Sequence, residues 1–150
     1  MVTIIPSYMY SIVASLIVGT IIVSFCAVAM TNIRNDAINQ QLTNVNQYVA
    51  TQSLILINHV TQNGQNESQV LDLPAAIGNQ QYWISITQDT SLAGVESGFG
   101  SIALQSQPQT YIPANVAASG AYFSGWGTAV LQCGYKNQTV TLTLTRSDLT

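Results

Sequence analysis

The chain has 150 residues, of which 6% are charged and 47% are hydrophobic, and it carries a net charge of −3 with only three basic residues. So few Lys and Arg side chains argue against nucleic-acid binding, which depends on basic groups at phosphates. Soluble domains usually contain about 25% charged residues. A neutral surface of Ser, Thr, Asn and Gln favours a subunit that buries much of its surface against copies of itself, or one coated with sugar.

The N-terminal segment contains no charged residue from Val2 to Met30. As a helix it would be roughly 44 Å long, whereas a membrane span has to cross only about 30 Å of hydrocarbon. Tilt can absorb the excess, but the length suggests a second partner besides lipid. A secretory signal peptide would begin with basic residues. None precedes this run, so we expect a processed chain from which a basic leader has been removed.

Small side chains recur every four residues in this apolar part. The spacing places them on one stripe of the helix, where the backbones of neighbouring helices can approach closely. We predict that this stripe mediates helix packing and self-assembly, and the alternative is a single membrane span in which the small residues are incidental. The small-residue stripe consists of Thr3, Ser7, Ser11, Ser15 and Gly19.

The helical pattern continues beyond the apolar part with a second stripe. Apolar residues at spacings of three, four and seven predict an amphipathic helix, and Asn63-Gly64 supplies a stop signal. We therefore predict one long helix over residues 1–62, apolar over 1–31 and amphipathic over 32–62. Its apolar face contains Ile33, Ala37, Ile38, Leu42, Val45, Val49, Leu56 and Val60, and its polar face contains Asn39, Gln40, Thr43, Asn46 and Gln47.

Residues 63–150 change to a period of two, which is typical of strands. We predict strands at 82–87, around Ile102 and Leu104, at 129–133 and at 140–145, with a hairpin loop at 136–138. Glycines between these segments, including the glycine-rich stretch 94–100, predict loops. Short strands of this kind indicate a small antiparallel β-sandwich or barrel-like sheet. The predicted fold class is therefore α+β.

Residues with catalytic or metal-binding chemistry are few and scattered. His59 is the single histidine, and no nucleophile motif accompanies it. Cys26 and Cys133 are predicted to be small buried hydrophobes rather than a disulfide pair. The acidic residues match no calcium loop, and we predict neither catalytic residues, nor a cofactor, nor a metal site. The acids assigned to predicted loops are Glu67, Asp72, Asp89 and Glu96.

Two sequons are present, Asn66-Glu67-Ser68 and Asn137-Gln138-Thr139. Both fall in predicted loops, and neither has proline in its middle position, so Asn66 and Asn137 are candidate acceptors of N-linked glycans. A chain this rich in Asn, Ser and Thr would also contain a sequon by chance. If the sites are occupied, the β-domain lies outside the cytoplasm.

An apolar first half-helix, an amphipathic second half and a C-terminal β-domain together resemble the archaeal type IV pilin and archaellin superfamily. Bacterial relatives carry glutamate at the fifth mature residue, where this chain has Ile5, so the resemblance is to the archaeal branch. It implies a membrane-inserted precursor whose helices leave the membrane to form the core of an extracellular surface filament. It also implies an outer layer of β-domains, often glycosylated, and a function in adhesion or surface attachment.

The competing hypothesis is a single-span membrane protein whose extracytoplasmic β-domain binds a ligand or a surface-layer partner, as a sensor or an archaellum stator subunit does. This hypothesis explains the helix and the β-domain, but not the stripe of small residues or the low charge. A membrane-anchored enzyme is a third hypothesis, which no catalytic motif supports.

Overall fold

The computed structural model describes residues 4–89, 92–100, 110–112, 116–136 and 139–147, the side chains of residues 4–7, 89 and 136 excepted. A single long helix precedes a seven-stranded sheet, so the predicted α+β class is confirmed. The elements are α1 (Ile4–Asn63), β1 (Glu67–Leu71), β2 (Tyr82–Asp89), β3 (Leu92–Phe99), β4 (Thr110–Ile112), β5 (Ala117–Phe123), β6 (Ala129–Lys136) and β7 (Thr139–Arg146).

Local sequence accounts for the C-terminal end of α1. Gly64, the residue after the helix, adopts a φ of 68°, and its N–H donates to the Val60 carbonyl over 2.8 Å. This is the left-handed glycine cap that commonly ends helices, so the predicted stop at Asn63-Gly64 is confirmed.

The chain divides into two compact units, and the boundary falls within α1, between Asn39 and Gln40. The first unit, Met1–Asn39, contains the apolar part of the helix and the first residues of its amphipathic part. The second unit, Gln40–Thr150, contains the rest of α1 together with the sheet. The boundary between the units therefore lies C-terminal to residue 31, where the composition of the helix changes.

One stripe of α1 is buried in the second unit. Val45 there is half-buried, as is Ile38 in the first unit, and Leu42 and Val49 are fully buried. Asn46 was predicted on the polar face and is also fully buried. This correction follows from helix geometry, because a residue four positions after Leu42 and three before Val49 lies on the same face as both. The remaining buried residues of the stripe are Ala50, Ser53, Leu56, Ile57 and Val60.

The strand order in the sheet is β1-β6-β7-β5-β2-β3-β4. The pairings of β1 with β6, β6 with β7, β2 with β5, β2 with β3 and β3 with β4 are antiparallel, as predicted. The β5–β7 pair in the middle of the sheet is parallel. It joins the hairpin-based half that contains β6 and β7 to the half that contains β2 and β3.

The register places the apolar side chains on one face of the sheet, because directly paired residues share a face. Leu131 lies opposite Leu144, and Cys133 lies opposite Leu142. This face packs with the buried stripe of α1 into one core, and the Gln69 side chain on β1 donates to Gln52 on α1 over 2.7 Å. Further buried residues on the face are Leu71, Ala118, Tyr122, Ala129, Tyr82, Ile84, Ile86, Val95 and Ile112.

Two expectations for the β-domain are corrected. The glycine-rich stretch lies mostly in strand β3 rather than in a loop, because Gly94 and Gly98 pair with Thr87 and Trp83 of β2. Glu67 and Glu96 accordingly lie in β1 and β3, and Asp89 ends β2, whereas Asp72 lies between strands as expected. The predicted strand around Ile102 and Leu104 lies outside the described residues. The predicted strands at 82–87, 129–133 and 140–145 are confirmed within β2, β6 and β7.

Candidate functional site

The first unit exposes its apolar surface. Every described side chain from Tyr8 to Ala37 is exposed. Within Tyr8–Asn63, the most apolar 18-residue window has a mean hydropathy of 2.6, and no residue of this window is buried. By length and composition this helix is able to cross a membrane. An apolar surface of this extent marks a membrane or protein contact rather than a surface kept in water.

Hydroxyl groups in the apolar part of α1 are bonded within the helix itself. Ser15 donates to the Ser11 carbonyl over 2.8 Å, and Ser24 donates to the Thr20 carbonyl over the same distance. Thr31 bonds back to Ala27 in the same way over 2.9 Å. Each of these hydroxyl groups donates a hydrogen bond to a backbone carbonyl of the preceding turn, so it does not need water as a partner. The surface of the segment therefore suits an apolar environment, whether lipid or neighbouring helices.

The structure describes only part of the small-residue stripe. Thr3 lies outside the described residues, and the side chain of Ser7 is not described. Ser11 and Ser15 are exposed. A Cβ atom added to Gly19 would meet nothing within 4 Å. The stripe is thus open to a partner, and its role in helix packing stays a prediction.

Of the two sequons, Asn66-Glu67-Ser68 lies within the described residues. Asn66 precedes β1, and its side-chain oxygen accepts a hydrogen bond from the Tyr135 N–H over 3.1 Å. Asn137 lies outside the described residues, directly after Lys136, which pairs with Thr139 at the end of the β6–β7 hairpin. The side chain of Asn66 is exposed. Glycosylation at either asparagine stays a prediction.

His59 and Glu67 form a partly exposed ion pair. His59 Nδ1 lies 3.6 Å from Glu67 Oε2, and the histidine side chain is 63% exposed, a geometry in which ion pairs contribute little. Cys133 is buried. Its burial, and to a smaller extent the negative charge of Glu67, raises the pKa of its thiol. Cys26 is exposed, contrary to the prediction, as is every other described side chain from Tyr8 to Ala37. In the described part, no group of three or more His, Cys, Asp or Glu side chains is placed to hold a metal.

The turn between β5 and β6 contains an exposed tryptophan, and buried side chains hold this turn in place through hydrogen bonds. Ser124 is fully buried; its N–H donates to the Tyr82 carbonyl, and its hydroxyl accepts from the Tyr82 N–H, both over 2.8 Å. The Tyr122 hydroxyl donates to the Gly127 carbonyl over 2.8 Å. Trp126 remains 57% exposed, with its ring centroid 5.3 Å from that of Phe123.

Beside this turn the sheet opens into a cleft of about 370 Å³. The parallel pairing of β5 with β7 ends at Gly120 and Leu144, after which β5 continues along β2 and β7 along β6. We call this opening the aromatic cleft. It is lined by Ala121, Tyr122, Phe123, Trp126, Leu144, Thr145 and Arg146.

The cleft was not predicted from the sequence. Its lining residues, such as Tyr122 and Leu144, come together only in the folded sheet. The available signal was local: Trp126 stands between Gly125 and Gly127, which have φ values of 81° and 107°. A large aromatic residue between two turn glycines marks a displayed side chain.

The comparisons with known proteins identify no relative: a scan against protein-family models, a search of curated proteins and a search of solved structures each return no match for this chain. The α+β class of the fold and the geometry of its surfaces are therefore the basis for assigning a function.

Proposed function

We propose that the chain is a structural subunit of a helical surface filament, assembled through the N-terminal part of α1 and serving in adhesion or surface attachment. The observation that carries this proposal is the apolar first unit, in which every described side chain from Tyr8 to Ala37 is exposed. Such a surface requires an apolar environment on all sides of the helix. Lipid supplies it for a precursor in the membrane, and identical helices supply it in a filament.

Three features support the filament over a simple anchor. The uncharged segment is longer than a membrane span needs. Its small residues follow the ridge on which helices approach closely. The chain also has only 6% charged residues, which suits a subunit that is covered by neighbours. In a filament of this kind the contacts are head-to-tail and do not close, so the polymer grows indefinitely.

In the proposed filament the sheet domain forms the outer layer, outside the cell. Glycans at Asn66 and Asn137 would then face the outside of the filament. The resemblance to archaeal pilins and archaellins supports this arrangement.

Substitution of Gly19 by leucine tests the packing role of the stripe. The monomer has open space at this position, and replacing glycine in a helix stabilises the helix by up to about 1 kcal/mol. The new side chain nevertheless separates helices that pack at the stripe. We expect Gly19→Leu subunits to insert into the membrane normally and to form few or no filaments, as measured by electron microscopy of sheared cell surfaces.

Ser24→Leu is the matched control, because it also introduces leucine in place of a small residue. Ser24 lies about 140° around the helix from Gly19 and from Ser11, and about 180° from Ser15. Ser24→Leu should assemble close to the wild-type level. Ser11→Lys should block assembly as well, because it buries an unpaired charge. Normal filaments from both stripe variants would contradict the proposal.

The second candidate is the membrane-anchored binding protein, which the capacity of α1 to cross a membrane also favours. It differs in where the mature protein is found. An anchored protein stays in the membrane fraction after shearing, whereas a filament subunit is released with the appendages. Fractionation of sheared cells with an antibody to the sheet domain separates these two candidates.

A further inference from the structure

We propose that the aromatic cleft binds a sugar unit that carries a carboxylate, such as a uronic acid within a polysaccharide. The site goes beyond filament assembly, because all of its lining residues belong to the sheet and none to the apolar part of α1. Its three elements are an aromatic platform, a gap between two strands and a single cationic side chain.

The platform is Trp126, which the fold holds in place rather than leaving mobile. Two hydrogen bonds tie Ser124 to the backbone of Tyr82, and Tyr122 bonds to the carbonyl of Gly127. Phe123 packs against the indole with an interplanar angle of 32°. A side chain fixed in this way loses little conformational entropy on binding. Because Trp126 is exposed, its indole contributes little to the hydrophobic core. The exposed surface of the ring is available for contact with a partner.

The shape and chemistry of the cleft suit a sugar ring. The face of an indole carries negative partial charge and attracts polarised C–H groups, which a pyranose presents on its apolar face. A volume of about 370 Å³ is within the usual range for small-ligand sites. The β5–β7 ladder ends at Gly120 and Leu144, and beyond it the strand edges bordering the cleft carry N–H and C=O groups. Sugar hydroxyls both donate to and accept from such groups.

Charge distinguishes an acidic sugar from a neutral one. Arg146 lines the cleft and is one of three basic residues in a chain of net charge −3. The lining residues include no Asp or Glu. Arg146 has an interaction within the chain, but a guanidinium group has several N–H donors and can pair with a ligand carboxylate as well. The cleft is therefore complementary to a carboxylate placed beside a ring that stacks on Trp126.

The chain reports on its own binding through its two tryptophans. Trp83 is 3% exposed and Trp126 is 57% exposed, so acrylamide quenches mainly Trp126. The full-length chain in detergent is titrated with tetragalacturonic acid, and with the methyl ester of the same oligomer as the neutral control. We expect the acid to protect Trp126 from quenching and the ester to bind at least about tenfold more weakly, because it lacks the charge-assisted pair.

Variants locate the site, with binding measured by calorimetry. Trp126→Ala should weaken binding of the acid at least about tenfold, while the emission of the buried Trp83 confirms the fold. Tyr135→Ala removes an exposed aromatic residue outside the cleft and should bind as the wild type does. Equal binding of acid and ester, no binding of the acid, or undiminished binding by Trp126→Ala would each overturn the proposal. So would protection of Trp126 by filament assembly alone, which would make the cleft a subunit contact.

Discussion

At the scale of single residues, Gly120 explains why the sheet holds together across its parallel pair. It pairs with Leu144 at the end of the β5–β7 ladder and has a φ of 123°. A Cβ atom at this position would lie 2.2 Å from the Leu144 carbonyl oxygen and 2.8 Å from the Leu144 nitrogen. Both atoms belong to the backbone, which cannot move aside like a flexible side chain. Only glycine permits this approach, and the aromatic cleft opens directly beyond it.

Gly120→Ala should therefore destabilise the domain by about 3 kcal/mol or more, through strain at positive φ and displacement of β7. Gly64→Ala is the matched comparison, because Gly64 also has positive φ, at 68°, but has open space around its Cβ position. It should cost only about 1 kcal/mol. Urea unfolding of the two variants, followed by tryptophan fluorescence, measures both values. Equal costs would show that the close approach to Leu144 is unimportant.

Two buried tyrosines make stability depend on alkaline pH. Burial, with a smaller contribution from Tyr122, raises the pKa of Tyr82 far above its usual value, and burial raises the pKa of Tyr122. Both groups hold their protons more tightly when folded, so their contribution is complete below about pH 10, the unfolded pKa. As pH rises beyond that value, the unfolded state loses protons first and gains stability.

We expect the free energy of unfolding to fall above about pH 10, by up to about 1.4 kcal/mol per pH unit for each tyrosine that stays protonated in the fold. Tyr122→Phe loses the bond to Gly127 at every pH, but its alkaline slope should be shallower. Tyr135→Phe, at an exposed tyrosine, is the control. Urea titrations from about pH 8 to about pH 11, a range that includes the tyrosine pKa of about 10 in the unfolded chain, measure the slopes. Identical slopes for all three proteins would contradict the assignment.

At the scale of secondary-structure elements, the sequence predicts those whose pattern is local. The alternation of Thr with apolar residues in β7 and the glycine cap of α1 follow from neighbouring residues, so both were predictable. Strand β3 was not, because Gly94 and Gly98 suggest a loop until Trp83 is placed opposite. The parallel β5–β7 pair depends on contacts between residues such as Ala118 and Leu142, which are far apart in the sequence.

The amphipathic part of α1 shows the same limit. The spacing of Leu42 and Val49 predicts their common face, but it also assigns Ile33 to that face. In the structure Leu42 is fully buried, whereas Ile33 is 69% exposed. Periodicity gives the direction of a side chain but not whether another element covers it, and the sheet belongs to the unit that begins only at Gln40.

This difference is testable in the full-length chain in detergent. Leu42→Ala removes a fully buried side chain and should lower the free energy of unfolding by about 2–5 kcal/mol. Ile33→Ala makes the same kind of truncation at an exposed position of the same helix and should change it by less than about 0.5 kcal/mol. Trp83 fluorescence in urea gives both values. A large effect of Ile33→Ala would place the boundary of the folded unit closer to the N-terminus.

At the scale of the whole molecule, the chain combines a folded sheet domain with a helix whose apolar surface is left for other molecules. The sequence was sufficient for the α+β class and for the apolar segment, because composition and period are local properties. The aromatic cleft could not be predicted, since it requires Tyr82 to meet Ser124 and β5 to separate from β7. The partner proposed for the stripe that runs through Ser11 to Gly19 would lie outside a single chain.

The central claim is that this partner is another copy of the chain. The most direct measurement is cryo-electron microscopy of appendages sheared from the source cells, with peptide mass spectrometry to identify their subunit. The account predicts a helical filament of this chain, with the N-terminal parts of α1 bundled at its axis and the sheet domains outside. Recovery of the protein only in the membrane fraction, with no filament that contains it, would contradict the account and favour the anchored binding protein.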